Sequence, residues 1–330
     1  MSDTNSKKSI HDFADSDGKF RRPASVFRSF VSPSPDSEFP AEKDRYVLYI
    51  NLGCPWAHRT NLVRSLKGLE DIIQLVVTDY ELTKEGWIYT GRLGTAASDP
   101  LYGFTKFREL YLKADPEYTG RFTVPVLWDK KKETIVNNES SEIIRMFFTA
   151  FDSLLPLERQ ESAHPLGGFY PESLRNDIDA LNEWVYNTVN NGVYKVGFAA
   201  TQEAYEENLY PLFDSLDRLE AILRSNEDAG KGPYLFGQHI TEADLRLYTT
   251  IVRFDAAYFT IFQCNLKMIR YEYPHLDRWL RRLYWDDSNV TRGAFRRTTH
   301  FDHFIRGYTA TMQHKIHPKG PVPLILPPVA

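Results

Sequence analysis

Tyr46-Val47-Leu48-Tyr49-Ile50-Asn51-Leu52-Gly53-Cys54-Pro55-Trp56-Ala57 decides the architecture. Its first five residues form a short β-branched and aromatic run, the pattern of a buried strand. Gly53-Cys54-Pro55 ends that run. Pro55 suits the first turn of a helix, where the N–H it lacks would have had no partner. Ala57, Leu62, Val63 and Leu66 then continue a helical face, and Gly68 is the expected stop.

Working outward, 72–77 reads as a second apolar strand, parallel to the first if the helix crosses over. An insertion over about 80–119 follows, rich in Gly, Tyr and charge, with one helix expected at 105–112. Strands at 124–128 and 134–136, joined by a polar turn, and a helix at 140–151 complete a small α/β sandwich spanning 45–157. Beyond it the strand signal disappears. Helices are expected at 173–190, 202–225, 242–258, 275–285 and 299–313, so a second, all-helical domain spans 158–317. Residues 1–44 read as an extension with little regular structure, from which Phe20, Val26, Phe27, Phe30 and Val31 can dock on the body; 318–330 read as an extended tail.

Composition narrows the function. A chain of 330 residues suggests two domains. Its 44 acidic and 40 basic side chains leave a net charge of −4, which argues against a nucleic-acid binder driven by a bulk positive field. No run approaches the ~18 apolar residues of a membrane helix, and the polar N-terminus lacks the apolar core of a secretory signal. Cys54 and Cys264 are too few for a disulfide framework and fit a reducing, cytoplasmic compartment. Aromatic residues make up 14%, enough to line a pocket with rings as well as fill cores.

Three segments carry chemistry. At a strand-to-helix junction, free N–H groups and the helix dipole favour a Cys54 thiolate and are expected to lower its pKa; the alternative is a buried structural cysteine. In Thr123-Val124-Pro125-Val126, a cis bond before Pro125 would turn the Val124 N–H and C=O outward to pair with a peptide-like ligand. In Asn138-Glu139-Ser140-Ser141-Glu142, an acid and hydroxyls sit at a helix start, either to receive a carboxylate or simply as a cap. Ala57 informs by absence: a dithiol redox site needs a second cysteine there, so the resolving thiol must come from outside.

These residues resemble the thioredoxin-fold glutathione site of a cysteine-type glutathione transferase. The string from Asn51 to Arg59 is similar to that of the glutathionyl-hydroquinone reductases, the Xi class, as are 123–129 and 137–143. So are 191–199, 241–255 and 316–318 in the helical part and tail, and the resemblance covers about 39–323. It implies a thioredoxin-like N-terminal domain, an all-α C-terminal domain, glutathione as co-substrate, a homodimer and no metal. It also implies that Cys54 is catalytic, that Glu139 and Ser140 hold the γ-glutamyl end, and that Val124, beside Pro125, holds the cysteinyl backbone. Trp87 and Arg121 would complete the cradle; core packing for Trp87 and a solvated charge for Arg121 are the alternatives. Tyr194, Tyr258 and Tyr308 would form the hydroquinone wall, with ring faces to stack and phenols to hydrogen-bond.

The expected activity is glutathione-dependent reduction of glutathionyl-hydroquinones to hydroquinones through a Cys54–glutathione mixed disulfide, resolved by a second glutathione. The alternatives are an omega-type thiol transferase or dehydroascorbate reductase, and a non-catalytic transferase-like interaction module. Other features are expected to be structural. Cys264 reads as a packed thiol, and Thr241-Glu242-Ala243-Asp244 as a capping box. His58, His300 and His303 show no metal-ligand spacing. Arg278, Arg281, Arg282, Arg292, Arg296 and Arg297 read as a solvated face with salt bridges, not a nucleic-acid site.

Overall fold

The computed structural model describes residues 14–22 and 24–328. Its first half contains β1 (Tyr46–Ile50), α1 (Pro55–Lys67), β2 (Gln74–Val77), a hairpin of β3 (Leu82–Thr83) and β4 (Gly86–Trp87), and α2 (Arg108–Ala114). After these come β5 (Val126–Asp129), β6 (Thr134–Asn137) and α3 (Ser140–Thr149). The main sheet has the order β2-β1-β5-β6. β1 runs parallel to β2, with Val47 opposite Gln74, and antiparallel to β5, with Tyr46 opposite Asp129. Neighbours on both edges and cover on both faces leave every residue of β1 without accessible surface, which is why its sequence does not alternate.

All thirteen residues of α1 are buried, because it packs against α3 and against the helical half of the molecule. It ends where the sequence places the stop. Gly68 takes a left-handed φ of 73°, and its N–H reaches the carbonyls of Arg64 and Ser65.

The second half is helical: α4 (Arg175–Val185), α5 (Gly192–Gly197), α6 (Gln202–Asp228), α7 (Glu242–Arg253), α8 (Phe259–Ile261), α9 (Ile269–Glu272), α10 (Pro274–Tyr284), α11 (Ala294–Arg297) and α12 (Phe301–Thr311). The spans 173–190 and 242–258, expected as continuous helices, instead pass into π-helical turns at Tyr186–Asn190 and Phe254–Tyr258. An apolar period of 3.6 does not reveal such a widening, which depends on what packs alongside. The capping box is present: Asp244 Oδ2 accepts from the Thr241 N–H (2.9 Å) and hydroxyl (3.0 Å). Among the described residues no helix is long and apolar enough to cross a membrane.

The described part of the N-terminal extension, 14–22 and 24–44, is more ordered than its sequence suggests. The Ser29 N–H donates to Val136 O (3.0 Å), and Asn138 donates back to Phe27 O (3.1 Å), so the segment lines the β6 edge. Further upstream, the Ala200 N–H donates to Gly18 O (3.1 Å), and the segment therefore touches both halves. Phe20 and Val31 bury as anchors, whereas Val26 and Phe30 stay 62% and 52% exposed.

The arginine cluster divides. Arg278 pairs with Glu227 (2.7 Å) and Arg296 with Asp287 (2.8 Å), as a solvated face would, whereas Arg281 pairs with Asp277 largely out of solvent. Arg292 and Arg297 differ, closing the C-terminal end of α1 through Ser65 O (3.0 Å) and Ser65 Oγ (2.9 Å).

Candidate functional site

The turn between β1 and α1 is built by Asn51, whose Oδ1 accepts from the Gly53 N–H (2.8 Å) and whose carbonyl accepts from the Cys54 N–H (3.1 Å). Cys54 then caps α1 in an extended conformation (φ −76°, ψ 122°), and its side chain makes no capping bond. The half-buried thiol points instead toward Val124 O, 3.7 Å away. The Val124–Pro125 peptide is cis.

A cavity of about 540 Å³ opens at Cys54. Of the residues expected at the site, Trp87, Arg121, Val124, Tyr194 and Tyr308 line it. The β3–β4 hairpin delivers Trp87, and α12 delivers Tyr308. α12 comes close through Gly307, where a Cβ would lie 2.9 Å from Tyr80 O. Pro125, Glu139, Ser140 and Tyr258 are not among the lining residues. Ser140 is buried at the start of α3. Glu139 caps that helix, accepting from the Ser141 N–H (3.2 Å) and hydroxyl (3.0 Å) and from the Ser25 hydroxyl (3.0 Å). Burial raises the Glu139 carboxyl, but those donors and the charge of Arg22 carry it below the usual range.

Tyr258 stands behind the wall, fully buried. Its hydroxyl lies 3.0 Å from that of Tyr308, which lies 2.7 Å from that of Tyr194. The three phenols thus form one hydrogen-bonded chain with Tyr308 at its centre. Burial pushes all three above the usual phenol value. Arg253 pulls both Tyr258 and Tyr308 the other way, and for Tyr308 alone both neighbouring hydroxyls do so as well.

The thiol departs from the sequence expectation. Burial pushes Cys54 above its ordinary value, while the N–H groups of Ala57 and Trp56 and the charges of Arg22 and Arg253 pull it down. The helix end acts as expected, and desolvation outweighs it. Cys264 is fully buried and its thiol is pushed well up, consistent with a packed cysteine.

Several lining residues have no sequence signal: Arg22, Tyr80, Lys84 and Phe304. Phe20, read only as an apolar anchor, also lines the cavity, with its ring 5.4 Å from Phe198. Trp56 is held between the guanidinium groups of Arg22 (4.3 Å) and Arg59 (4.5 Å). A cation 32 residues before Cys54 in the chain is placed there by the path of the extension alone. Among the described residues no group of three His, Cys, Asp or Glu side chains is arranged to hold a metal ion.

Residues 53–149 match the family model described as glutathione S-transferase, N-terminal domain, and 202–282 that described as glutathione S-transferase, C-terminal domain. The chain is 50% identical to glutathione S-transferase omega-like 2 of Schizosaccharomyces pombe, over 96% of each chain. It is 46% identical to glutathionyl-hydroquinone reductase YqjG of Escherichia coli, over 94% of this chain and 90% of that one. The Xi glutathione transferase ECM4 of Saccharomyces cerevisiae in complex with glutathione superposes with a TM-score of 0.84 at 39% identity, covering 92% of this chain and 100% of that one.

Proposed function

The chain belongs to the glutathione S-transferase family, and from that premise we propose that it reduces glutathionyl-hydroquinones to hydroquinones with glutathione as co-substrate. The observation that carries this reading is the Cys54 thiol at a helix start, opening into the same cavity as the Tyr194–Tyr308 phenol pair. A tyrosine or serine at the first position would activate glutathione for conjugation. A cysteine offers its own thiolate and a route through a disulfide.

In the reaction, the substrate enters as its keto tautomer, with hydrogen and the glutathionyl sulfur on one ring carbon beside a carbonyl. The Cys54 thiolate attacks that sulfur and the carbon–sulfur bond breaks. Its electron pair passes into the carbonyl, leaving the hydroquinone anion and a Cys54–glutathione disulfide. Tyr308 supplies the proton to the anion, since its oxygen has two hydroxyl neighbours and the pull of Arg253 to carry the charge left behind. A second glutathione gives its thiol proton to the Tyr308 phenolate, and its thiolate attacks the glutathione sulfur of the disulfide, releasing glutathione disulfide and the Cys54 thiolate. In this reading Trp87, Arg121 and the Val124 backbone hold glutathione inside the cavity, Glu139 and Ser140 receive its γ-glutamyl end from the α3 start, and Tyr194 and Tyr258 support Tyr308.

Intact mass after incubation with a glutathionyl-hydroquinone alone tests this directly. One glutathione adduct on Cys54 with release of the hydroquinone is expected, and an unmodified Cys54 in active protein rules the mechanism out. The omega-like name of the yeast relative favours a second reading, a thiol transferase or dehydroascorbate reductase. Turnover of dehydroascorbate exceeding that of the quinol thioether on the same preparation selects it. The proposal extends to the cytoplasm, supported by two unpaired cysteines, and to a homodimer, supported by the family resemblance alone. Light scattering on the eluting peak reads the oligomeric state.

A further inference from the structure

Arg253 ends α7 with its side chain wholly buried. It donates to the carbonyls of Thr249 (2.7 Å), Gly53 (3.2 Å) and Leu52 (3.3 Å), and lies 2.9 Å from His58 Nδ1. None of these partners is a carboxylate, and among the described residues Arg253 forms no ion pair. Arginine can only donate, so His58 Nδ1 must accept, which places the imidazole proton on Nε2. That nitrogen faces Thr298 Oγ1 at 3.0 Å, and the Thr298 hydroxyl donates onward to Ala294 O (2.8 Å). Burial, with the charge of Arg253 next, pushes His58 well below its usual value, so it stays neutral. A positive charge is thus held in the interior by carbonyls and a neutral imidazole, with no carboxylate within ion-pair distance, a costly arrangement whose field reaches whatever lies beside it.

Leu52 and Gly53, whose carbonyls this guanidinium grips, are the two residues immediately before Cys54. On its other side the guanidinium lies over the Phe304 ring (4.8 Å), which itself lines the Cys54 cavity. We propose that Arg253 is a positioning residue for the Cys54 reaction: its fork fixes the Leu52–Gly53 backbone that presents the thiol, and its charge favours the thiolate and the Tyr308 oxyanion over their neutral forms. This rests on Cys54 being the nucleophile. The other charged and titratable groups lining the cavity are Arg22, Lys84, Arg121, Tyr80, Tyr194 and Tyr308. Arg253 differs from the cations among them in acting from behind the wall, away from water and screening salt.

The test is the pH profile of Cys54 alkylation by iodoacetamide, read by peptide mass, alongside kcat and KM for a glutathionyl-hydroquinone. In Arg253→Met, alkylation at pH 7 falls about fivefold or more and the profile moves upward, while kcat falls about tenfold with a smaller change in KM. Arg253→Lys keeps the charge and loses the fork, so alkylation returns to within about twofold of the parent while kcat stays low. A purely structural role would lower the melting temperature and leave the alkylation profile where it was; that result in Arg253→Met overturns the proposal. Should Arg253→Met not fold, Arg253→Lys decides: an upward-shifted profile, or turnover at the parent level, overturns it. Alkylation needs no turnover. A parent protein that forms no glutathione adduct would therefore sink the nucleophile assignment, while the influence of Arg253 on the thiol is read independently.

Discussion

α1 and α7 pack against each other and begin in opposite ways. At α7 the donors around the cap converge on one carboxylate. Asp244 accepts from the Thr241 N–H and hydroxyl, from the Leu235 N–H (3.1 Å) and from the Trp279 indole (2.9 Å). At α1 the capping position holds Cys54, whose side chain caps nothing, and proline follows it. A helix start built for folding closes its own orphan donors. The start of α1 leaves them available to an anion, and the anion it can stabilise is its own thiolate.

The strongest way to break this contrast is Cys54→Ser. Turnover is expected to fall more than about 1000-fold, since a hydroxyl neither ionises at neutral pH nor forms a disulfide. The melting temperature should stay within about 2 °C of the parent, because nothing in the cap depends on the sulfur. Asp244→Ala should do the reverse. It strands buried donors, so chemical denaturation should show a loss of about 3 kcal/mol, with kcat little changed in the protein that remains folded. Equal effects of the two substitutions on stability would erase the distinction between the helix starts.

Tyr308→Phe sharpens the catalytic side. Loss of the central phenol should lower kcat by about 100-fold, measured in steady state, and leave formation of the glutathione adduct on Cys54 detectable. Thr241→Ala should cost only about 1 kcal/mol in a denaturation curve, because Asp244 keeps its other donors. The pH experiment is the finest. Burial raises the Cys54 thiol and the thiolate is the reactive form, so its alkylation rate should keep rising beyond the pH at which free cysteine, near about 8.5, has levelled off. A plateau below that of free cysteine would mean that the helix end outweighs burial.

The parts legible in the sequence are those written locally. β1 was readable because five apolar residues in a row need burial on both faces, and the start and stop of α1 because Pro55 and Gly68 have backbone preferences of their own. The capping box was legible because its spacing of three residues is itself the interaction. The resemblance carried Tyr194, Tyr258 and Tyr308, and the structure joins all three hydroxyls, though only two of the rings face the cavity. The π-helical turns at Tyr186–Asn190 and Phe254–Tyr258 left no mark on the apolar period and were read as plain helix.

By itself, then, the sequence determined the α/β half followed by the helical half, the thiol at a helix start and the absence of a resolving cysteine beside it. Each follows from neighbouring residues through dihedral preference, hydrogen-bond geometry or reactivity. Only the tertiary structure decided that Phe20 and Arg22 of the extension wall the cavity and that Tyr258 stands behind Tyr308. It also decided that the thiol is raised rather than lowered, and that a guanidinium 199 residues after Cys54 in the chain grips the turn before it. The physical reason is shared. Desolvation and Coulomb fields depend on which distant groups surround an atom, and no short stretch of chain carries that information.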